Sequence, residues 1–367
     1  MHLSDFTIKN IRCISHASVK LHKNINLIVG HNGSGKTSFL EGVYLLSCGK
    51  TFGLSRWRDL IHDGCESMSV AGSFWFSSKT EIDVSLEKGL STANYTLQGD
   101  SVNKTSDVAS KIPVLVGNSR AADLLTESPK ARRDLLDRAV FHVKPSFINL
   151  WKDLRKALGH RNNLLKSGFS RSELSFWNQV VCERSIQMDL HRREIVKEIN
   201  FFLAESILNE ELGEIAIDYF SGWDSKKTLM EQLESNRESE SRIGYTLNGA
   251  HRADLRVKVS GKLGAKRLSK GQLKVIAFES LLAIHDYISC NGSVAPIFLI
   301  DDLGSELDPL KLGGLAEKIT KTKGQKIISS IQSSFLEFLD STDSKVFHVE
   351  QGIIKQPKRI KNNELRF

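Results

Sequence analysis

The sequence has 367 residues, 40% of them hydrophobic and 26% charged, with 26 glycines. At roughly 100 to 200 residues per domain this means two or three domains, and the balance excludes collagen-like, disordered and disulfide-scaffold chains. The net charge of +8, from 51 basic against 43 acidic residues, implies an anionic partner without naming it.

No apolar run approaches the roughly 20 residues of a bilayer span, and the N-terminus lacks the basic-then-apolar order of a signal peptide. A cytoplasmic product with no membrane partner is expected. The five cysteines are widely spaced, with no C-x-x-C pair, which suits a reducing compartment.

In chain order, residues 3–8 and 25–29 read as strands, followed by others at 74–76, 82–86 and 114–116. After the second strand comes Gly30-His31-Asn32-Gly33-Ser34-Gly35-Lys36-Thr37, which fits G-x-x-x-x-G-K-[ST], and Ser38 continues into a helical run. Glycines at those places let successive N–H groups turn inward toward phosphate oxygens, and the helix start adds its positive dipole end. Lys36 can bridge β- and γ-phosphates, and Thr37 can offer its hydroxyl to Mg²⁺.

From Ser128-Pro129 the pattern turns helical. A second helix from about Pro145 to Gly168 puts Phe147, Leu150, Trp151, Leu154, Leu158 and Leu165 on one stripe. A third helical stretch over 172–213 carries Trp177, Val181, Met188, Ile195, Ile199, Phe202 and Leu203, and unbroken it would reach roughly 60 Å. The two predict an antiparallel helical arm, with a compact helical subdomain as the alternative. Arg132, Arg133 and Arg138 stand among Asp134 and Asp137, so intrahelical pairs are expected and no site is assigned to them. Trp57, Trp151 and Trp177 are read as packing residues.

The last third holds Leu268-Ser269-Lys270-Gly271-Gln272 ahead of an apolar helix, then Pro296-Ile297-Phe298-Leu299-Ile300-Asp301-Asp302, a buried strand ending in two carboxylates. Asp301 can hold magnesium and Asp302 can orient or deprotonate the attacking water. Ser269 and Gly271 at a helix start form a second anion-binding N-terminus. One chain has little use for two such sites unless two copies close head to tail around two nucleotides.

The order of phosphate loop, insertion, L-S-x-G-Q, strand with paired acids and Ser305-Glu306-Leu307-Asp308 resembles the ABC-type ATPase heads of chromosome maintenance and repair proteins. Further stretches, among them Ile8-Lys9-Asn10-Ile11-Arg12, 128–137, 141–147, Arg161-Asn162, 249–255 and 347–352, narrow the resemblance to the RecF family. The resemblance implies an α/β fold: an ABC-type P-loop ATPase head with a β-rich lobe and an inserted α-helical arm domain. The head would comprise residues 1–115 (phosphate loop) and 245–367 (signature, paired acids and the segment after them), and the arm 116–244.

It further implies an ATP- and Mg²⁺-dependent clamp of recombinational repair, a weak ATPase that homodimerises on single-stranded and duplex DNA and at gap junctions. The implied partners are RecR and RecO, indirectly RecA, and the implied roles include recombinase loading and SOS induction. Lys36, Asp302 and Ser269 would be catalytic, and Thr37 and Asp301 would bind the metal. Arg12, residues 30–38, Ser269, Gly271 and Gln272 would bind nucleotide. An ABC transporter's energy-coupling subunit is the alternative from another class, and a nucleotide-gated DNA scaffold with negligible turnover is a third.

Some positions depart from the general pattern. The usual catalytic glutamate is Asp302, one methylene shorter, which implies slow hydrolysis. No switch histidine follows 326–330, where Gln332 is the nearest polar candidate, and Asn118 is the only amide where a glutamine loop would stand. The basic surplus concentrates over 251–274, where Arg252, Arg256, Lys258, Lys262, Lys266, Arg267, Lys270 and Lys274 face one acid, Asp254. Such a density suits a sequence-independent phosphate trough on DNA, helped by Lys50, Arg56 and Arg58, with a solvated basic hairpin that meets no ligand as the alternative.

Overall fold

The computed structural model describes all residues except 53–55, 77–79, 119, 127, 169, 265, 305–306, 332–342 and 357–367. Ser305, Glu306 and Gln332 therefore lie outside the described residues. The chain divides into two compact units, residues 1–121 with 285–367 and residues 122–284. The division falls after the signature segment, so that segment belongs to the second unit, whereas the sequence pattern puts the return to the head at residue 245.

The first unit opens with β1 (His2–Ile11), β2 (Ile14–Lys20), β3 (Ile25–Val29) and α1 (Lys36–Cys48). It continues through β4 (Ser67–Trp75), β5 (Glu81–Gly89), β6 (Ala93–Leu97), β7 (Asp100–Ser101), α2 (Thr105–Lys111) and β8 (Val114–Gly117). Six strands form an antiparallel sheet in the order β2-β1-β4-β5-β6-β7. In α1 the apolar residues surround the axis instead of lining one face, so the helix has to be buried throughout. Phe6 of β1 and Phe39 of α1 meet edge to face at 5.1 Å, and Phe39, Leu40, Val43 and Leu46 are fully buried. Each such side chain contributes about 1.5–3 kcal/mol.

The second unit begins with α3 (Asp123–Thr126), α4 (Pro129–Val143), α5 (Phe147–Ser167) and α6 (Arg171–Leu203). After α7 (Asn209–Leu212), β9 (Ile215–Phe220), α8 (Leu229–Ser235), α9 (Arg237–Ile243), β10 (Asp254–Val259) and β11 (Lys262–Leu263) comes α10 (Lys270–Asn291), which leaves the unit at His285. α5 and α6 pack together: of the predicted stripes, Phe147, Leu154 and Leu165 of one and Val181, Met188, Ile195, Ile199 and Leu203 of the other are buried, with Ala157, outside the predicted stripe, buried as well, while Leu150, Trp151 and Leu158 are half-buried.

The third helical stretch is shorter than expected. α6 ends at Leu203, roughly 50 Å long at 1.5 Å per residue. The buried Glu279 of α10 explains the break: its carboxylate accepts hydrogen bonds from Ser206 Oγ at 2.5 Å and from the Ile207 N–H at 3.1 Å, giving the chain an alternative to further helix. The expectation for Arg132 and Arg133 is also corrected. Arg132 Nε donates to Asp254 at 2.7 Å and Arg133 Nη1 to the Ala253 carbonyl at 2.7 Å, while Asp137 pairs with Arg192 of α6. These side chains leave their own helix surface for neighbouring segments, where burial strengthens the pairing.

Arg161 and Arg192 are the largest fully buried side chains among the described residues of this unit. Arg161 donates to Asn178 at 2.7 Å, Thr246 Oγ1 at 2.8 Å and Glu240 at 2.6 Å, joining α5, α6 and α9. β9, β10 and β11 form a separate small sheet in the order β11-β10-β9.

The chain then returns to the first unit with β12 (Ile297–Ile300), α11 (Pro309–Lys321), β13 (Lys326–Ser330), β14 (Ser344–Glu350) and β15 (Ile353–Lys355). The second six-stranded sheet runs β15-β14-β3-β13-β12-β8, parallel throughout except for the antiparallel β15. All residues of β3, β12 and β13 are buried, as expected for parallel strands covered on both faces. The Gln325 side chain bonds both the N–H and the carbonyl of Leu3 at 2.8 Å, stitching the start of β13 to β1.

Arg161→Ala leaves Glu240 buried without its cation, and loss of one partner of a buried pair costs about 3–5 kcal/mol. Urea unfolding of the variant should show a lowered midpoint or an unfolded second unit; an unchanged midpoint would contradict that role.

Candidate nucleotide site

The parallel sheet places β13 between β3, which feeds the glycine-rich loop, and β12, which ends in the two acids. The carboxyl ends of the three strands are therefore neighbours, the place where open α/β sheets bind ligands. Gly30 follows β3 so tightly that an added Cβ would lie 2.2 Å from the Val349 carbonyl, so only glycine fits. Gly33 and Gly35 take φ values of 76° and 119°, and Gly35 caps α1. His31, Asn32 and Gly33 are exposed, whereas Ser34, Gly35, Lys36 and Ser38 are buried. Ser34 Oγ, in a residue 8% exposed, has no hydrogen-bond partner among the described residues.

Lys36 Nζ donates to the carbonyls of Gly30 at 2.6 Å and His31 at 2.8 Å, which curls the loop around it. Burial pushes its ammonium below the ordinary lysine value, against the opposing pull of Asp302 and then Asp301. Thr37 Oγ1 donates to both oxygens of Asp301, at 3.1 and 3.0 Å. The two predicted metal ligands, 264 residues apart in sequence, are thus in direct contact.

This donor set fits a small hard cation. Mg²⁺ takes one or two protein oxygens and completes its shell with phosphates and water. A hydroxyl and a carboxylate at the mouth of a phosphate loop supply that, and no cluster of three or more His, Cys, Asp or Glu gathers among the described residues. Bound there, the cation would neutralise phosphate charge.

Asp302 has φ 55°, in the left-handed region that residues with a Cβ seldom adopt. Ser329, at the end of β13, is a site residue that the sequence alone does not single out. Its hydroxyl donates to Asp301 Oδ1 at 2.5 Å and accepts the Asp302 N–H at 3.0 Å. The only sequence signal is the serine pair closing the strand 326–330.

Arg12 occupies the turn between β1 and β2, also at positive φ, with its guanidinium 3.9 Å from the buried Glu41 of α1. Asn118 follows β8, the neighbour of β12, and its side-chain oxygen accepts the Arg120 N–H at 3.0 Å.

In the second unit, Ser269 and Gln272 cap α10 reciprocally. The Ser269 N–H donates to Gln272 Oε1 at 2.8 Å and the Gln272 N–H to Ser269 Oγ at 3.2 Å. Gln272 Nε2 also donates to Glu211 of α7 at 2.6 Å. Ser269 and Lys270 are exposed and Gly271 half-buried, so the helix start is open to solvent.

The basic segment is partly dispersed. Arg252, Arg256, Lys262, Lys266, Arg267 and Lys270 are exposed, but Lys258 pairs with Asp218 at 3.1 Å. Arg252 lies over the Tyr245 ring and Arg256 over Phe220. Lys274 does not belong to this surface run: it is fully buried in α10, where residues 273–285 are buried without a break. Lys50, Arg56 and Arg58 are exposed and belong to the first unit, where Arg58 and Lys88 flank Trp57.

Residues 2–355 match the family described as RecF/RecN/SMC N terminal domain. The chain is similar to the DNA replication and repair protein RecF of Aliivibrio fischeri (strain ATCC 700601 / ES114), with 33% identity over 97% of this chain and 100% of that protein. It is 34% identical to the protein of the same description from Vibrio atlanticus (strain LGP32), with the same coverage. Among solved structures, the recombination mediator protein RecF with ATP, of the RecFOR pathway, superposes with a TM-score of 0.82 at 20% identity over 97% of both chains. An Smc head bound to the C-terminal winged-helix domain of ScpA superposes at 0.60 with 15% identity, over 97% of this chain and 96% of that one. With a glycine-rich loop facing an acid-tipped strand, and likeness along the whole length, the chain belongs to the RecF family of DNA replication and repair proteins.

Proposed function

We propose that the protein is a weak Mg²⁺-dependent ATPase that closes as a homodimer on DNA and opens after hydrolysis. The contact between Thr37 and Asp301 beside Lys36 carries this reading. Lys36 would neutralise the β- and γ-phosphates in place of the loop carbonyls it now holds, and its buried position strengthens that attraction. Thr37 and Asp301 would hold Mg²⁺. Asp302 would take the proton of the attacking water from a carboxylate one methylene shorter than glutamate, so turnover is slow.

The open N-terminus of α10 at Ser269 supports the dimer. Its N–H groups suit the γ-phosphate of a nucleotide seated on Lys36 of a second copy, with Gly271 admitting close approach. Nucleotide bound twice across a twofold axis then stabilises the dimer by mass action. The exposed Arg256, Lys262, Lys266 and Arg267, with Arg252 on Tyr245, would meet phosphates of DNA without reading bases. The relatives' description as DNA replication and repair proteins supports this reading. Recombinase loading at single-strand gaps with RecO and RecR, acting in the cytoplasm and inducing the SOS response, extends it. A nucleotide-gated scaffold with negligible turnover is a second reading, favoured by the short carboxylate and left-handed backbone of Asp302.

In sedimentation with ATP and Mg²⁺, Lys36→Ala should stay monomeric at all protein concentrations, whereas Asp302→Asn should give dimers at least as persistent as those of the parent. Unchanged turnover in Asp302→Asn would reassign that carboxylate.

Affinity for duplex DNA should fall linearly in log K against log salt, and replacing Arg256, Lys262 and Arg267 together by alanine should flatten the slope by about 0.9 for each phosphate that is no longer neutralised. A salt-independent or sequence-dependent affinity would remove the trough.

A further inference from the structure

The two parallel ladders of β13 bring one small side chain to the centre of the site. β12 pairs with β13 up to Ile300 opposite Ile328, and β13 pairs with β3 through Ser329 opposite Ile28 and Ser330 opposite Val29. One step beyond the last β12 rung, Ser329 stands opposite Asp301. Its side chain is fully buried.

A hydroxyl has one hydrogen to give. Here it goes to Asp301 Oδ1 at 2.5 Å, while a lone pair accepts the Asp302 N–H at 3.0 Å, and the two bonds together fix the rotor. One oxygen atom thus holds the carboxylate of the first acid and the main chain of the second. The second bond matters because Asp302 sits at φ 55°, a conformation it would seldom adopt unaided.

We infer that Ser329 is a positioning residue of the hydrolysis site. By donating to Asp301 Oδ1 it orients that carboxylate toward the Thr37 hydroxyl, the pair that would hold the divalent cation once the Thr37 hydrogen turns away from it. By pinning the Asp302 amide it sets where the second carboxylate emerges from the strand. The metal and the attacking water are thereby registered to each other through a strand that belongs to neither motif. This inference rests on the Mg²⁺-ATPase reading above.

The test compares the full-length protein with Ser329→Ala and Ser329→Thr. Affinity for fluorescent ADP is measured in EDTA, Mn²⁺ affinity in the presence of ADP by electron paramagnetic resonance, and kcat and KM with Mg²⁺. Loss of a residue that orients a metal ligand typically weakens metal affinity or activity about 10–100-fold, and that loss is expected for Mn²⁺ binding and kcat in Ser329→Ala. ADP binding without metal should stay close to that of the parent, KM for Mg²⁺–ATP should rise along with the loss of metal affinity because the two are linked, and Ser329→Thr should recover most of these losses because the hydroxyl returns.

Parent-like Mn²⁺ affinity in Ser329→Ala would overturn the inference, as would a folded Ser329→Thr as impaired as the alanine variant. Should Ser329→Ala fail to fold, Ser329→Cys keeps the volume with only a weak donor; it should lose Mn²⁺ affinity, and full affinity would again be fatal. A parent protein that binds ADP and Mn²⁺ without turnover removes the ATPase reading alone, and the Mn²⁺ affinities still decide Ser329. A parent that binds no nucleotide overturns both.

Discussion

The site depends on one carboxylate held between two hydroxyls. Asp301 receives Thr37 from the start of α1 and Ser329 from the end of β13, so three segments far apart in sequence meet at a single charged group. A buried carboxylate without such donors would carry a large desolvation penalty. With them, the positions of the phosphate loop and the acid-tipped strand are fixed relative to each other before any ligand arrives. Preorganisation of this kind lets a phosphate site act through positioning and electrostatics, the main work in phosphoryl transfer.

The helical unit holds the segment that starts α10. Glu279 fastens the turn after α6 to α10, and Glu211 of α7 holds Gln272, whose side chain in turn caps the Ser269 amide. α10 is thus tied at two points to the segment that follows α6, at its first turn through Gln272 and farther along through Glu279. A displacement of that segment would reach Ser269 through two hydrogen bonds, a physical route by which the helices could act on the signature loop.

The phosphate loop was legible because its requirements are local. Gly30 has no room for a side chain, Gly33 and Gly35 need positive φ, and Lys36 and Thr37 must follow at once. The all-apolar strand before Asp301 and the stripes on α5 and α6 were legible for the same reason: periodicity within one element reports its burial. Ser329 was not, because its role follows from strand order, which places β13 between β3 and β12 and which no local pattern encodes. The buried Arg161 and the sheet of β9 to β11 were hidden likewise, since their partners lie tens of residues away. Charge counting failed at Lys274, where a cation inside a surface-like run turns into the interior, and at Arg132 and Arg133, whose partners lie on other segments.

On the proposed mechanism, Thr37 and Asp301 hold the cation of a nucleotide seated on Lys36, and Ser269 of a second copy closes over its terminal phosphate. A crystal structure of Asp302→Asn with ATP and Mg²⁺ tests this most directly. It should show the metal between Thr37 Oγ1 and Asp301, Lys36 moved from the Gly30 and His31 carbonyls to phosphate, and the Ser269 helix start of the other copy on the γ-phosphate. A nucleotide bound with the metal away from Asp301, or with Ser269 in solvent and each copy alone, would contradict it.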